Sequence, residues 1–178
     1  MTRHAPNLLT ILRIALVPLF CWLLFSGSQY LSLIVFWIAA STDFFDGWLA
    51  RKRGLISAFG KLADPIADKA LTGAAWISLS LLNVIAWPAT FLILLREITI
   101  TVLRLLIAET TVVPASQGGK LKTTLQIVVI SSYLIFPIPA VGVVAGLQTL
   151  LLWVTVGVTV ITGWNYLGIL VPALKRSN

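Results

Sequence analysis

Four aspartates in the first half of the chain have a spacing that suits chemistry assisted by metal ions. They are Asp43 and Asp46 in the segment STDFFDGWLAR, and Asp64 and Asp68 in the segment FGKLADPIADK. On helices, each pair shares one face, because residues three or four positions apart lie on the same side. The short basic connection between the segments predicts antiparallel neighbouring helices, which brings the four carboxylates to a similar depth.

Such a group of carboxylates indicates a site for hard divalent cations. Four like charges repel one another unless cations lie between them. Oxygen ligands favour Mg²⁺ or Mn²⁺. We expect two ions, which can hold the attacking and the leaving oxygen of a displacement at phosphorus. Three small residues, Gly47, Ala50 and Gly60, share these helix faces and leave room for a flat group to approach the backbone.

Two other interpretations of the aspartates remain open, and both concern helices that span a membrane. The carboxylates could pair only with neighbouring basic side chains at a solvated membrane edge. Alternatively, aligned acids inside a membrane mark the path of a magnesium or other ion transporter. Against transport, the outer halves of the predicted helices hold essentially no ionisable residue, and no inverted repeat is visible.

The elements that position these residues are predicted to be membrane spans. Hydrophobic residues make up 58% of the 178 positions and charged residues 11%, whereas soluble domains have ~45–50% and ~25%. We therefore predict one all-α membrane domain over residues 1–178, with six transmembrane helices. The predicted spans cover 8–26, 31–50, 58–81, 86–108, 119–136 and 145–172.

Positive charge alternates along the chain and predicts the orientation of the spans. The loops at 27–30, 82–87 and 137–144 carry no charged residue, whereas the alternate segments carry Arg3, the Arg51-Lys52-Arg53 triplet, Lys120 with Lys122, and Lys175-Arg176. The positive-inside rule then places both termini in the cytoplasm, in a multi-pass protein of the cell inner membrane whose site faces the cytoplasm. Because the basic residues lie between apolar runs, the net charge of +7 does not indicate a nucleic-acid partner.

The motif around the aspartates resembles the CDP-alcohol phosphotransferases in every defining position. Those positions are Asp43, Asp46, Gly47, Ala50, Arg51, Gly60, Asp64 and Asp68. The likeness extends to PNLLTILR near the amino terminus, LREITITVLR in the fourth span and GKLKTTLQ at the start of the fifth. It implies a six-helix membrane enzyme, usually a homodimer, with a polar cavity open to the cytoplasm.

The resemblance also implies roles for individual residues. The four aspartates would ligate the metal ions, and Asp68 would also be the general base. The cytidine diphosphate site would be lined by Gly47, Ala50, Arg51 and Gly60, with contributions from Asn7 and Arg13 in the amino-terminal motif. For the last two residues other roles are open: Asn7 could cap a helix, and Arg13 could contact lipid headgroups.

The likeness is greatest to family members that join CDP-diacylglycerol, held in the lipid membrane, and glycerol 3-phosphate, with release of CMP. The acceptor phosphate then needs cations, and we assign Arg96, Arg104, Lys120 and Lys122 to it. Arg96 is near mid-span and is expected to point into the cavity, where Glu97 would orient one of the arginines through a bidentate pair.

Alternatives to this acceptor site also remain. The Arg–Glu pair could only hold helices together, and the two lysines could bind headgroups. Within the family, phosphatidylglycerol (in cardiolipin synthesis) or an inositol phosphate are the other candidate acceptors, although the motifs in the fourth and fifth spans favour glycerol 3-phosphate.

Overall fold

The computed structural model describes residues 5–53, 58–107, 117–136 and 141–177, and in these ranges the regular structure is entirely helical. The helices are α1 (Ala5–Phe25), α2 (Gln29–Arg53), α3 (Ala58–Leu81), α4 (Trp87–Ile107), α5 (Gln117–Ile135) and α6 (Gly142–Ser177). The prediction of an all-α protein with six helices is confirmed. Each predicted span overlaps one observed helix, because a long apolar run bounded by turn residues is a strong helix signal.

The end of α1 shows how local sequence sets the helix bounds. Gly27 has a φ of +80°, and its N–H bonds to the Leu24 carbonyl at 3.2 Å, while the Ser28 N–H bonds to the Leu23 carbonyl at 2.9 Å. These two bonds form a Schellman motif, which satisfies carbonyls that the helix leaves without partners. The turn residues at 26–28 therefore terminate α1 and allow α2 to begin at Gln29.

The first compact unit is Met1–Leu82. In it α1 packs against both α2 and α3, and α2 also contacts α3. The rings of Phe20 and Phe36 lie 5.9 Å apart between centroids, and both side chains are fully buried, as is Trp76 on α3. The Cys21 thiol and the Ser78 hydroxyl are 3.6 Å apart, which joins α1 to α3 through a polar contact.

The second compact unit is Asn83–Asn178, in which α6 packs against α4 and α5. Its buried apolar side chains include Ile93 on α4, Ile130 on α5 and Leu152 on α6. A polar contact also joins two of these helices, because the Gln148 side chain on α6 donates to the Ser132 carbonyl on α5 at 2.9 Å.

The distribution of side chains differs from that in a water-soluble protein. Large apolar groups such as Trp22, Phe91 and Trp164 are exposed, whereas the buried set includes Arg, Lys, Glu, Gln, Ser and Thr side chains. Within the described ranges, Gly142–Gly168 is the helix long and apolar enough to cross a membrane, and shorter apolar helices cover Ile11–Phe25, Gln29–Thr42 and Leu121–Ile135. Both observations support a membrane protein.

Candidate functional site

The backbone that carries the four aspartates is helical. Asp43 and Asp46 belong to α2, and Asp64 and Asp68 belong to α3. The helical spacing therefore places each pair on one face of its helix. Their side chains lie outside the described residues, so the predicted meeting of the four carboxylates stays a prediction.

The positions of the aspartates along the two helices are closely matched. Asp43 lies ten residues before the end of α2 at Arg53, and Asp68 lies ten residues after the start of α3 at Ala58, which is about 15 Å in both cases. Asp46 and Asp64 lie seven and six residues from the same helix ends, which is about 10.5 Å and about 9 Å. Only residues 54–57 connect α2 to α3. The spacing is therefore compatible with Asp43 and Asp68 at one depth and with Asp46 and Asp64 at another.

The chemistry of the available donors decides whether the implied metal site fits divalent cations. Among the side chains that the structure describes, no three carboxylate, imidazole or thiol groups come together. The four aspartates fall outside that part of the chain, and their eight carboxylate oxygens are the hard donors that Mg²⁺ and Mn²⁺ prefer. The donor set therefore fits the expected divalent cations.

The positions expected to line the cytidine diphosphate site are also helical. Gly47, Ala50 and Arg51 lie in α2, and Gly60 lies in the first turn of α3. Asn7 lies in the first turn of α1, which begins at Ala5, rather than at the residue that precedes the helix. For these five positions the side chains, where present, lie outside the described residues.

Arg13 on α1 is buried, with 1% of its surface exposed. This burial leaves no guanidinium surface for a lipid headgroup, so that interpretation of Arg13 is wrong. The carboxylates that the sequence supplies between residues 1 and 82 are those of the four motif aspartates. A buried guanidinium requires anionic or polar partners, which keeps Arg13 a candidate for the donor site.

A second group of charged side chains surrounds Glu97 on α4. Glu97 is 6% exposed, and Lys122 and Gln126 on α5 are 3% and 2% exposed. Its Oε1 atom accepts from the Lys122 ammonium and from Gln126 Nε2 at 3.3 Å. Lys122 and Gln126 are four residues apart and therefore lie on the same face of α5.

Arg96 adds a second cation to this group. Its Nη1 atom lies 3.4 Å from the same Glu97 oxygen, and its side chain is 12% exposed. The Arg96 stem also passes over Gly163 on α6. Together Arg96, Lys122 and Glu97 carry two positive charges and one negative charge. We call the four residues Arg96, Glu97, Lys122 and Gln126 the Glu97 cluster.

The structure thus brings together two of the four cations assigned to the acceptor phosphate. The alternative in which Lys122 binds lipid headgroups does not agree with the structure, because its side chain is buried against Glu97. Arg104 and Lys120 belong to α4 and α5, but their side chains lie outside the described residues. Sequence reasoning missed Gln126, which the four-residue spacing from Lys122 could have revealed, and it missed Gly163, for which the sequence carries no signal.

Comparison with known proteins identifies the class. The family model described as CDP-alcohol phosphatidyltransferase matches residues 3–161. The chain therefore belongs to the CDP-alcohol phosphatidyltransferase family, a class of enzymes, as its motif around the aspartates predicted.

Similar proteins carry more specific names. A probable phosphatidylglycerophosphate synthase of Mycobacterium tuberculosis is 43% identical over 166 residues, covering 90% of this chain and 78% of its own length. A CDP-diacylglycerol–glycerol-3-phosphate 3-phosphatidyltransferase of Bacillus subtilis is 38% identical over 191 residues, covering 98% of this chain and 99% of its own. A protein of the same name from Rickettsia typhi is 38% identical, with 92% and 95% covered.

Proposed function

We propose that this enzyme transfers the phosphatidyl group of CDP-diacylglycerol to glycerol 3-phosphate, giving phosphatidylglycerophosphate and CMP. The observation that carries the choice of acceptor is the Glu97 cluster, in which the buried Lys122 and the partly buried Arg96 share one carboxylate. The names of the Bacillus and Rickettsia relatives support the same reaction.

The proposed setting is the cell inner membrane, crossed by six helices of one domain with both termini in the cytoplasm. The alternation of basic and uncharged connections supports this orientation. The exposed apolar side chains of both compact units support a lipid environment. We further propose a homodimer whose polar cavity opens to the cytoplasm, where the charged cytidine nucleotide and glycerol 3-phosphate are available.

The donor would be bound by α2 and α3. Asp43, Asp46, Asp64 and Asp68 would hold two Mg²⁺ or Mn²⁺ ions, which when bound neutralise the charge of the diphosphate. Cytidine diphosphate would lie along Gly47, Ala50, Arg51 and Gly60, with Asn7 and Arg13 nearby. The matched positions of the aspartates along their helices support this arrangement.

The reaction would proceed by direct displacement. The Asp68 carboxylate accepts the proton of the glycerol 1-hydroxyl, and the resulting oxygen attacks the phosphorus that carries the diacylglycerol. A new phosphorus–oxygen bond forms as the bond to the CMP oxygen breaks, and Arg51 helps to hold the charge on departing CMP. This route requires no nucleophilic side chain on the enzyme.

The acceptor would be bound by α4 and α5, through Arg96, Arg104, Lys120 and Lys122. Glycerol 3-phosphate brings a phosphate dianion, and the Glu97 cluster has an excess of one positive charge in surroundings from which water is largely excluded. Attraction between opposite charges is stronger there than in water. The planar guanidinium of Arg96 can also donate two parallel hydrogen bonds to a phosphate.

The test is an acceptor comparison with the purified full-length protein. CDP-diacylglycerol and Mn²⁺ are supplied with glycerol 3-phosphate, phosphatidylglycerol or an inositol phosphate in separate reactions, and CMP and the lipid product are measured. We expect product with glycerol 3-phosphate. Product with phosphatidylglycerol alone would overturn the proposal in favour of cardiolipin synthesis, and product with the inositol phosphate alone would overturn it likewise.

The transport hypothesis has its own test. The protein is reconstituted in vesicles that hold a magnesium-sensitive dye, and magnesium entry and CMP release are followed in parallel. We expect CMP release without magnesium entry. Magnesium flux without CMP release would refute the enzymatic proposal.

A further inference from the structure

A glycine lies at the point where α6 passes the Arg96 side chain. A Cβ atom at Gly163 would lie 2.7 Å from Arg96 Cγ, 3.2 Å from Nε and 3.5 Å from Cδ. Real Cβ contacts below 3.0 Å essentially do not occur. Any side chain at position 163 would therefore force Arg96, or the helix that carries it, to move.

This requirement is specific to Gly163 among the described glycines of α6. A Cβ atom at Gly146, Gly157 or Gly168 would meet nothing within 4 Å. At these three glycines, therefore, no neighbouring atom approaches the α6 backbone in the way that Arg96 does at Gly163. The contact at Gly163 involves the side chain of one residue, and that residue belongs to the Glu97 cluster.

The atoms of Arg96 that approach Gly163 determine where its guanidinium lies. Cγ is the second carbon of the side chain, so unless the helix itself moves, a shift of Cγ requires a change of χ1, and this change moves the whole group beyond it. At present the Arg96 Nη1 atom lies 3.4 Å from Glu97. A different rotamer would take the guanidinium away from this carboxylate.

We propose that Gly163 is a positioning residue for acceptor binding. Its lack of a side chain leaves the space that Arg96 needs to adopt the rotamer in which the guanidinium lies beside Glu97. The inference rests on the proposed function, in which Arg96 binds the phosphate of glycerol 3-phosphate. Gly163 lies beyond residues 3–161 matched by the family, so family membership does not assign this role.

The first test compares Gly163→Ala with Gly157→Ala, which adds the same methyl group to the same helix where nothing lies within 4 Å. We expect Gly163→Ala to raise the KM for glycerol 3-phosphate by about tenfold, as expected when a charge-assisted hydrogen bond is weakened. The KM for CDP-diacylglycerol should change less than about twofold, and Gly157→Ala should leave both constants near the native values. An unchanged KM for glycerol 3-phosphate in Gly163→Ala would overturn the inference.

The second test asks whether Gly163 acts through Arg96. In an Arg96→Ala background the colliding side chain is gone, so Gly163→Ala should have no further effect. The native protein, the two single variants and the double variant are compared by their KM for glycerol 3-phosphate and by their thermal unfolding midpoint in detergent. Equal effects of Gly163→Ala in both backgrounds would overturn the inference, because they would indicate a role in helix packing alone.

The two tests separate this inference from the proposed function. If native protein makes no product with glycerol 3-phosphate, the proposed function fails, and the acceptor role of Gly163 fails with it. If native protein makes product but Gly163→Ala behaves like Gly157→Ala, the inference alone fails. If Gly163→Ala does not fold, recovery of folded protein in the double variant with Arg96→Ala supports the inference, and a double variant that also fails to fold overturns it.

Discussion

Replacement of Glu97 by glutamine is expected to destabilise the protein strongly. The substitution keeps the size of the side chain but removes the negative charge that faces Lys122 and Arg96. The side chains of Glu97 and Lys122 are both buried, so water cannot replace the lost carboxylate. Removal of one member of a buried ion pair costs about 3–5 kcal/mol, because the other charge remains buried.

This free energy corresponds to a large shift in thermal stability. For a chain of this length, each 1 kcal/mol lowers the unfolding midpoint by about 2–4 °C, so Glu97→Gln should lower it by about 6–20 °C. Intrinsic fluorescence is a suitable readout, because the chain has 7 tryptophans. The native and variant proteins are heated in the same detergent at one scan rate.

The control is the double variant Glu97→Gln, Lys122→Met, which also removes the facing ammonium. Replacement of a whole buried pair by uncharged groups is often close to neutral, so the double variant should recover most of the lost stability. A midpoint of Glu97→Gln within about 2 °C of the native value would refute the reasoning. Additive losses in the double variant would refute it equally, since they would mean that the two charges are not coupled.

Four further outcomes are expected. Removal of divalent cations with EDTA should abolish turnover, and Mg²⁺ or Mn²⁺ should restore it; activity that persists in EDTA would contradict the two-metal proposal. Asp68→Asn should abolish turnover while CDP-diacylglycerol binding is largely retained, and near-normal turnover would remove Asp68 as the base. Gly27→Ala should lower the free energy of unfolding by about 1–2 kcal/mol, because φ is +80° at this position and the added Cβ atom would meet no other atom. Gly27→Asn should lower it less. Equal losses for the two variants in thermal unfolding would contradict this. Trp76→Ala should lower the free energy of unfolding by about 3–5 kcal/mol, since the side chain is fully buried. An unchanged unfolding midpoint would contradict that burial.

The sequence alone determined the helical architecture and the class of enzyme. Apolar runs separated by turn residues predicted six helices, and the spacing of Asp43, Asp46, Asp64 and Asp68 predicted the family that the comparisons identified. These properties can be read from the sequence because they depend on local periodicity and on residues close together in the chain. A helix face follows from spacing, whatever lies opposite to it.

The tertiary structure decided which partner each buried charge has. The sequence left Lys122 between the acceptor phosphate and lipid headgroups, and the packing of its helix turns its side chain onto Glu97. Gly163 carries no signal in the sequence, and its importance comes from an arginine 67 positions earlier. Contacts of this kind depend on how each helix is rotated and how closely it approaches its neighbour, and these quantities are set by packing over the whole unit rather than by spacing within one helix.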